Sequence, residues 1–180
     1  VGQPGTPAPK LAKNILSKEL QNNNLGYTVS LGLPDLRNRI SKLYGEWYNL
    51  DLNPERVVVT TGSSGAFILS FATLFDAGDR VGIGSPGYPS YRQILKAQNL
   101  VAVDIQTELE NKFQPIADDI IKNNLNGLLV ASPANPTGSM LDKNSLKKLM
   151  ECSKDNNVSF ISDEIYHGIE YEKKAVSALE

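Results

Sequence analysis

Two carboxylates and a tyrosine directly follow a short apolar run near the end of the sequence. Residues 158–162 are rich in β-branched and aromatic side chains, and Asp163, Glu164 and Tyr166 come next. Such a run is typical of a buried strand, and open α/β sheets bind their ligands at the carboxyl ends of the strands. Because an unpaired buried charge is costly, Asp163 requires a cationic partner there. The pattern therefore predicts a ligand site at this edge without naming the ligand.

A segment of small residues at 61–65 lies between a predicted strand and a predicted helix. The backbone N–H groups at the start of the helix, together with the hydroxyls of Ser63 and Ser64, are suited to an anion such as a phosphate. The segment lacks the spacing of a Walker A loop and of a dinucleotide-binding glycine motif. Taken alone, a tight turn with a serine cap is the simpler explanation.

An aromatic residue and an amide follow two further predicted strands. Tyr88 stands close to two prolines and offers a ring face to a flat ligand, whereas Asn135 begins a turn-forming segment. Taken singly, Tyr88 and Tyr166 are explained as packed residues, Asn135 as part of a plain turn, and Asp163 as a helix cap or surface acid. Together with the phosphate-type segment, these groups match a planar, phosphorylated, protonatable ring. Pyridoxal 5′-phosphate has these parts.

Short apolar strands alternate with helices along the chain. The strands are predicted at 57–60, 80–84, 100–105, 127–131 and 158–162, and the helices at 11–20, 34–47, 66–75, 90–98, 115–124 and after the cap residue Asp142. In the helix at 34–47, we expect Arg37 on the surface. The alternation predicts an α/β fold, with helices on both faces of a mostly parallel sheet. The candidate residues would then share one edge of that sheet.

The composition is that of an ordinary soluble globular protein. The 180 residues are 41% hydrophobic and 21% charged, and the net charge of −2 gives no electrostatic footprint for nucleic acid. No apolar run approaches the roughly 18 residues of a membrane span, and no signal-peptide pattern is present. We therefore expect a cytoplasmic protein. Cys152 and His167 are the only residues of their types, so a metal centre is not expected.

The motifs resemble those of the class I/II aminotransferases, the aspartate-aminotransferase-like enzymes of pyridoxal-phosphate fold type I. An Asn-Pro-Thr-Gly segment followed at this interval by Asp-Glu-x-Tyr is specific for the family, although the separate parts are not. The resemblance covers nearly the whole chain. Its segments are Gly2-Gln3-Pro4, Gly26-Tyr27-Thr28, Gly32-x-Pro34-x-Leu36-Arg37, Thr61-Gly62-Ser63-Ser64, Gly78-Asp79, Pro86-Gly87-Tyr88-Pro89, Asn135-Pro136-Thr137-Gly138 and Asp163-Glu164-Ile165-Tyr166.

The resemblance implies a role in ring binding for four residues. Asp163 would pair with the protonated pyridine nitrogen and so keep the ring cationic. Asn135 and Tyr166 would form hydrogen bonds to the 3′-oxygen of the ring. Tyr88 would stack on the ring face.

Four more residues take roles outside the ring by the same resemblance. Ser63 and Ser64 would hold the phosphate. Tyr27 is similar to the tyrosine that reaches the phosphate of the neighbouring subunit, which implies a homodimer. Gly2 lies where the amino-terminal arm of the family touches the substrate carboxylate.

The resemblance also implies residues beyond the end of the sequence. The family's Schiff-base lysine would follow Glu180, and neither Lys173 nor Lys174 has its context. We expect residues 1–49 to form an amino-terminal arm and helices of the small domain and dimer interface. Residues 50–180 would form a large domain that is incomplete at its carboxyl end. In the family the last two strands insert beside the first, so the strand at 57–60 would lack a partner here.

An aminotransferase is the function that the resemblance implies, with an amino acid and a 2-oxo acid as substrates. A pyridoxal-phosphate β-lyase or a lyase similar to ACC synthase would share most ring contacts. A transcription regulator with an aminotransferase-like sensor domain is a third hypothesis. We expect the 180 residues alone to be inactive without the lysine.

Overall fold

Six α-helices and four β-strands account for the regular structure of residues 5–180, the part of the chain that the computed structural model describes. None of these helices is both long and apolar enough to cross a bilayer. In chain order the elements are α1 (Lys10–Asn22), α2 (Pro34–Tyr48), α3 (Gly62–Leu74), β1 (Arg80–Ser85), α4 (Pro89–Ala97), β2 (Val101–Gln106), α5 (Ala117–Asn123), β3 (Gly127–Ala131), α6 (Lys143–Asp155) and β4 (Ser159–Asp163).

The four strands form one parallel sheet with the order β2-β1-β3-β4. Because the strands are parallel, each must be reached by a crossover, and α4, α5 and α6 lie in these connections. In the register of β3 and β4, Ala131 pairs with Asp163, so these strands end side by side. The predicted α/β class with a parallel sheet is confirmed.

Helices cover both faces of the sheet, and the side chains of β3 show how. Leu128 and Val130 pack with residues of α5 and α6 in one buried cluster. Leu129, which points the opposite way, packs with residues of α3 and α4 in the other. A strand buried on both faces reads as a continuous apolar run, as residues 127–131 do.

The strand predicted at 57–60 is wrong, because these residues belong to no sheet, whereas the expectation that this segment would lack a partner strand is confirmed for residues 5–180. Hydrogen bonds to other parts of the chain hold the segment: the Val59 N–H donates to the Leu31 carbonyl at 2.9 Å, and Arg37 donates to the Val57 carbonyl at 3.0 Å. A β-branched segment becomes a strand only beside another strand, and none lies next to it in residues 5–180. Half of the Val58 surface is exposed as a result.

Arg37 was expected on the surface of α2, and the structure buries it instead. Its guanidinium group donates to the Pro54 carbonyl at 2.9 and 3.1 Å and lies 2.9 Å from the Glu55 carboxylate. Planar guanidinium groups can satisfy several acceptors at once, which is why burial is tolerated. Arg37 therefore fixes the turn that leads to the segment at 61–65.

The amino-terminal helix α1 contributes no buried residue to the described chain. Its apolar side chains Leu11, Ile15, Leu16 and Leu20 are all more than half exposed. The division into residues 1–49 and 50–180 stays a prediction.

Candidate active site

The carboxyl edge of the sheet gathers the polar residues that the sequence placed there. Asp163 ends β4 and is only 8% exposed. The next residue after β3, Ser132, donates its N–H to the Asp163 carbonyl at 3.1 Å. The loop after β3 and the turn after β4 are thereby tied together at their first residues.

Two donors hold the Asp163 carboxylate. The Tyr91 hydroxyl donates to Oδ2 at 2.5 Å, and the Ile165 N–H donates to Oδ1 at 3.1 Å. Burial raises the pKa of the Tyr91 phenol far above its usual value, and the hydrogen bond and negative charge of Asp163 raise it further. Tyr91 is therefore a neutral donor. Each carboxylate oxygen keeps acceptor capacity for another donor.

Asn135 and Tyr166 are brought together across the same edge. The Asn135 side-chain amide donates to the Tyr166 hydroxyl at 3.4 Å. Both side chains line an open groove of ≈ 560 Å³, which also runs along residues 169–173. An amide and a phenol that share one hydrogen bond retain donors for a ligand oxygen.

Gln114 holds both ends of the loop that carries Asn135. Its side-chain amide donates to the Ala131 carbonyl at 3.0 Å and to the Ser139 carbonyl at 3.1 Å. The residue is 3% exposed. The loop is thus closed by a buried amide clamp, and nothing in the local sequence around Gln114 marks it.

His167 anchors the beginning of this loop to α2. Its Nε2–H donates to the Ser132 carbonyl at 2.9 Å, and this bond leaves Nδ1 as the acceptor for the Tyr48 hydroxyl at 2.5 Å. The side chain is 6% exposed. The single histidine therefore has a structural partner on each ring nitrogen.

Tyr88 precedes α4 and is linked to Asp163 through Tyr91. The Tyr88 and Tyr91 rings meet edge to face, with centroids 5.4 Å apart and an interplanar angle of 80°. Tyr88 is 37% exposed, and it lines a small cavity together with Tyr91 and Asn135. A partly exposed ring beside a buried carboxylate can cover a flat ligand.

Ser63 and Ser64 lie in the first turn of α3, because the helix begins at Gly62 and not at Ala66 as predicted. The N-cap residue Thr61 gives no side-chain hydrogen bond to this helix start. The first N–H groups of a helix lack intrahelical partners, and they attract anions. The donors of this helix start thus fit a phosphate.

Tyr27 stands apart from this group. Tyr27 lies on the connection between α1 and α2, with its side chain fully exposed. Gly2 lies outside the described residues. The structure therefore does not place Tyr27 at the sheet edge.

The family model for aminotransferase class I and II matches residues 1–180. The chain belongs to this family. The chain is similar to a valine–pyruvate aminotransferase of Mycobacterium tuberculosis, to which it is 43% identical over 173 residues, covering 95% of this chain and 45% of that protein. The chain spans about half the length of the curated relatives it matches.

Solved aminotransferase structures share the fold. One assigned as an aminotransferase from Silicibacter pomeroyi is 59% identical, with a TM-score of 0.91 over 99% of this chain and 46% of that chain. An aminotransferase from Mycobacterium tuberculosis is 42% identical, with a TM-score of 0.94 over 98% of this chain and 49% of that chain. These neighbours confirm the predicted relation to fold type I.

Proposed function

We propose that the protein containing this chain is a pyridoxal-phosphate-dependent aminotransferase that moves an amino group from an amino acid to a 2-oxo acid. The main support for this proposal is the buried carboxylate of Asp163, which lies at the edge of a parallel sheet in a chain of the class I and II aminotransferase family. Within residues 5–180 this carboxylate has two neutral donors and no cationic side chain paired with it. A protonated pyridine nitrogen would supply the cation.

The donors of the sheet edge and of the start of α3 together fit this cofactor. The Asp163 carboxylate suits the ring nitrogen, and the Asn135 amide and Tyr166 phenol suit a ring oxygen. The first N–H groups of α3 suit the phosphate, and the Tyr88 ring suits the face of the cofactor ring. When bound, pyridoxal phosphate supplies an electron sink for the carbanion formed at the amino-acid Cα. In this proposal the protein residues bind and orient the cofactor and hold the proton on its ring nitrogen.

Asp163 would hold the proton on the ring nitrogen. Its position is fixed by Tyr91 and by the turn after β4, so it would not need to reorganise when the ring carries more charge. Asn135 and Tyr166 would orient the ring through its 3′-oxygen. Their closeness supports this role, because both reach the groove after two adjacent strands.

Ser63 and Ser64 would hold the phosphate together with the first N–H groups of α3. The absence of a side-chain cap from Thr61 supports this assignment, since it leaves the helix start to another acceptor. Tyr88 would cover the ring. The covalent attachment to a lysine that the family resemblance implies is assigned to no residue of this chain.

The proposal includes a homodimer with Tyr27 directed at the neighbouring subunit, and Gly2 near the substrate carboxylate. Full exposure of the Tyr27 side chain supports the first of these roles. Amino-acid metabolism in the cytoplasm is the setting that the family resemblance implies. The relatives are named for different substrates, valine and pyruvate in one case and aspartate in another. We therefore propose only the substrate classes, an amino acid and a 2-oxo acid.

Amino-group transfer by the full-length protein and by its Asp163→Ala variant tests this function. With a panel of amino acids and 2-oxo acids, we expect the wild-type protein to transfer the amino group. The variant should keep some bound cofactor but lose most turnover, about 100-fold or more, because the ring is no longer held cationic. Undiminished turnover would remove Asp163 from the mechanism. Release of pyruvate and ammonia without a 2-oxo acid would show a lyase instead.

A further inference from the structure

Tyr91 is the residue that the sequence did not single out and that touches two of the proposed ring contacts. It lies in the first turn of α4, with 6% of its surface exposed. Its hydroxyl donates to Asp163, and its ring lies edge-on to Tyr88. No other residue joins these two contacts in the described part of the chain.

Packing against a further aromatic ring and burial on α4 fix the position of Tyr91 itself. The Phe67 ring of α3 meets the Tyr91 ring at a centroid distance of 5.2 Å and an interplanar angle of 81°. Leu95, one turn later on α4, is fully buried on the same helix face. Because the Tyr91 ring is held by this packing, its hydroxyl has a fixed position beside the Asp163 carboxylate.

The hydroxyl contact has an electrostatic consequence. A neutral phenol that donates to a carboxylate disperses part of the negative charge of that carboxylate, as hydrogen bonds to a charged form do. Among the described residues, Asp163 has one other donor, the Ile165 N–H. Removal of the Tyr91 hydroxyl would therefore leave a more concentrated charge at the sheet edge.

We propose that Tyr91 is a positioning residue that sets the charge and orientation of Asp163 toward the pyridine nitrogen and fixes the Tyr88 ring. This inference rests on the proposed function, because it concerns how the same site holds its cofactor. Tyr91 acts through the other two residues.

Titration of bound pyridoxal phosphate in the full-length protein tests the role of Tyr91. The visible absorbance band of the bound cofactor changes with pH, and its midpoint reports where the cofactor loses a proton. In a Tyr91→Phe variant we expect this midpoint to rise by about half a pH unit, because a more concentrated negative charge on Asp163 favours the protonated cofactor. The ring edge toward Tyr88 is kept in this variant. Tyr44→Phe is the matched control: it removes a half-buried phenol of α2 that forms no hydrogen bond to Asp163 in the described residues, and it should leave the midpoint unchanged.

A double-mutant cycle separates this role from a purely structural one. In an Asp163→Asn background, Tyr91→Phe should produce no further shift of the midpoint, because the phenol acts through the carboxylate. This background also removes the buried charge, so it provides a folded comparison if the single variant does not fold. The same shift in both backgrounds would overturn the proposal.

The outcomes for Tyr91 and for the cofactor proposal are distinguishable. If wild-type protein binds pyridoxal phosphate and the midpoints of wild type and Tyr91→Phe coincide, the Tyr91 role is refuted and the proposed function stands. If wild-type protein binds no pyridoxal phosphate, the proposed function fails, and the Tyr91 role fails with it.

Discussion

Gly87, in the loop between β1 and α4, lies where the chain folds back tightly on itself. A Cβ at this position would lie 2.3 Å from the Gly84 carbonyl oxygen, a contact that side chains do not make. We expect Gly87→Ala to move the loop, to displace Tyr88 and to weaken pyridoxal-phosphate binding. The free energy of unfolding should fall by about 1–3 kcal/mol. Urea unfolding and cofactor titration of the full-length protein measure both effects.

Gly45 on α2 is the matched control. A Cβ there would make only an ordinary contact, 3.5 Å from the Leu50 carbonyl oxygen. Alanine favours helix, so Gly45→Ala should stabilise by about 0.5–1 kcal/mol and leave cofactor binding unchanged. If Gly87→Ala behaved like Gly45→Ala, the proposed tight fit of the Tyr88 loop would be contradicted.

At the scale of single residues, the sequence predicts the polar groups that end strands but not the side chains that support them. The buried Asp163 and the pair of Asn135 and Tyr166 follow from strand ends of a parallel sheet. Tyr91 and Gln114 meet their partners 72 and 17 residues away, so their contacts depend on the three-dimensional fold. The sequence offered one signal for Tyr91: it follows Tyr88 by three residues, a spacing that places two side chains close together on a helix. The ligand roles of the predicted residues stay predictions.

Tyr48 of α2 contacts His167, which binds the loop after β3. The titration of Tyr48 makes the free energy of unfolding depend on pH. Burial, followed by the negative charge of Glu164, raises the pKa of Tyr48 to about 12. The folded state thus keeps this proton while the unfolded chain loses it near pH 10. The stabilisation is fully present below about pH 10 and is lost as the pH rises through about 12.

Unfolding free energies measured from about pH 9 to 12 check this dependence. We expect the wild-type values to fall more steeply than those of Tyr48→Phe, and the difference between the two proteins isolates Tyr48 from the other tyrosines. Equal slopes would show that folding does not raise the pKa of the Tyr48 hydroxyl.

At the scale of elements, prediction succeeds where the local pattern and the tertiary surroundings agree. The strands at 80–85, 101–106, 127–131 and 159–163 have neighbours that complete their hydrogen bonds. The segment at 57–60 has the same β-branched composition but no neighbouring strand in residues 5–180. Arg37 escaped prediction for a similar reason, since its acceptors lie 17 and 20 residues away.

At the scale of the whole molecule, the apolar side chains of α1 and the Tyr27 side chain are exposed in the described chain. The proposed homodimer directs Tyr27 to the site of the partner subunit, and complementation tests this. Tyr27→Ala and Asp163→Ala variants of the full-length protein should each be impaired. In a refolded equal mixture about half of the dimers should be hybrids, and each hybrid contains one site with both native residues. About a quarter of all sites should therefore be intact.

Activity of that mixture no greater than the mean of the two variants would place Tyr27 in its own subunit or outside the site. Mixing each variant with itself provides the control for refolding. Sedimentation velocity on the same samples reports whether dimers form.

Absorbance of the full-length protein with and without pyridoxal phosphate tests the central claim most directly. After removal of bound cofactor and addition of pyridoxal phosphate, we expect a visible absorbance band that follows saturable binding. Its binding should weaken in Asp163→Ala, because the ring nitrogen loses its carboxylate partner. A wild-type protein that shows no such band, either as purified or after the addition, would contradict the account.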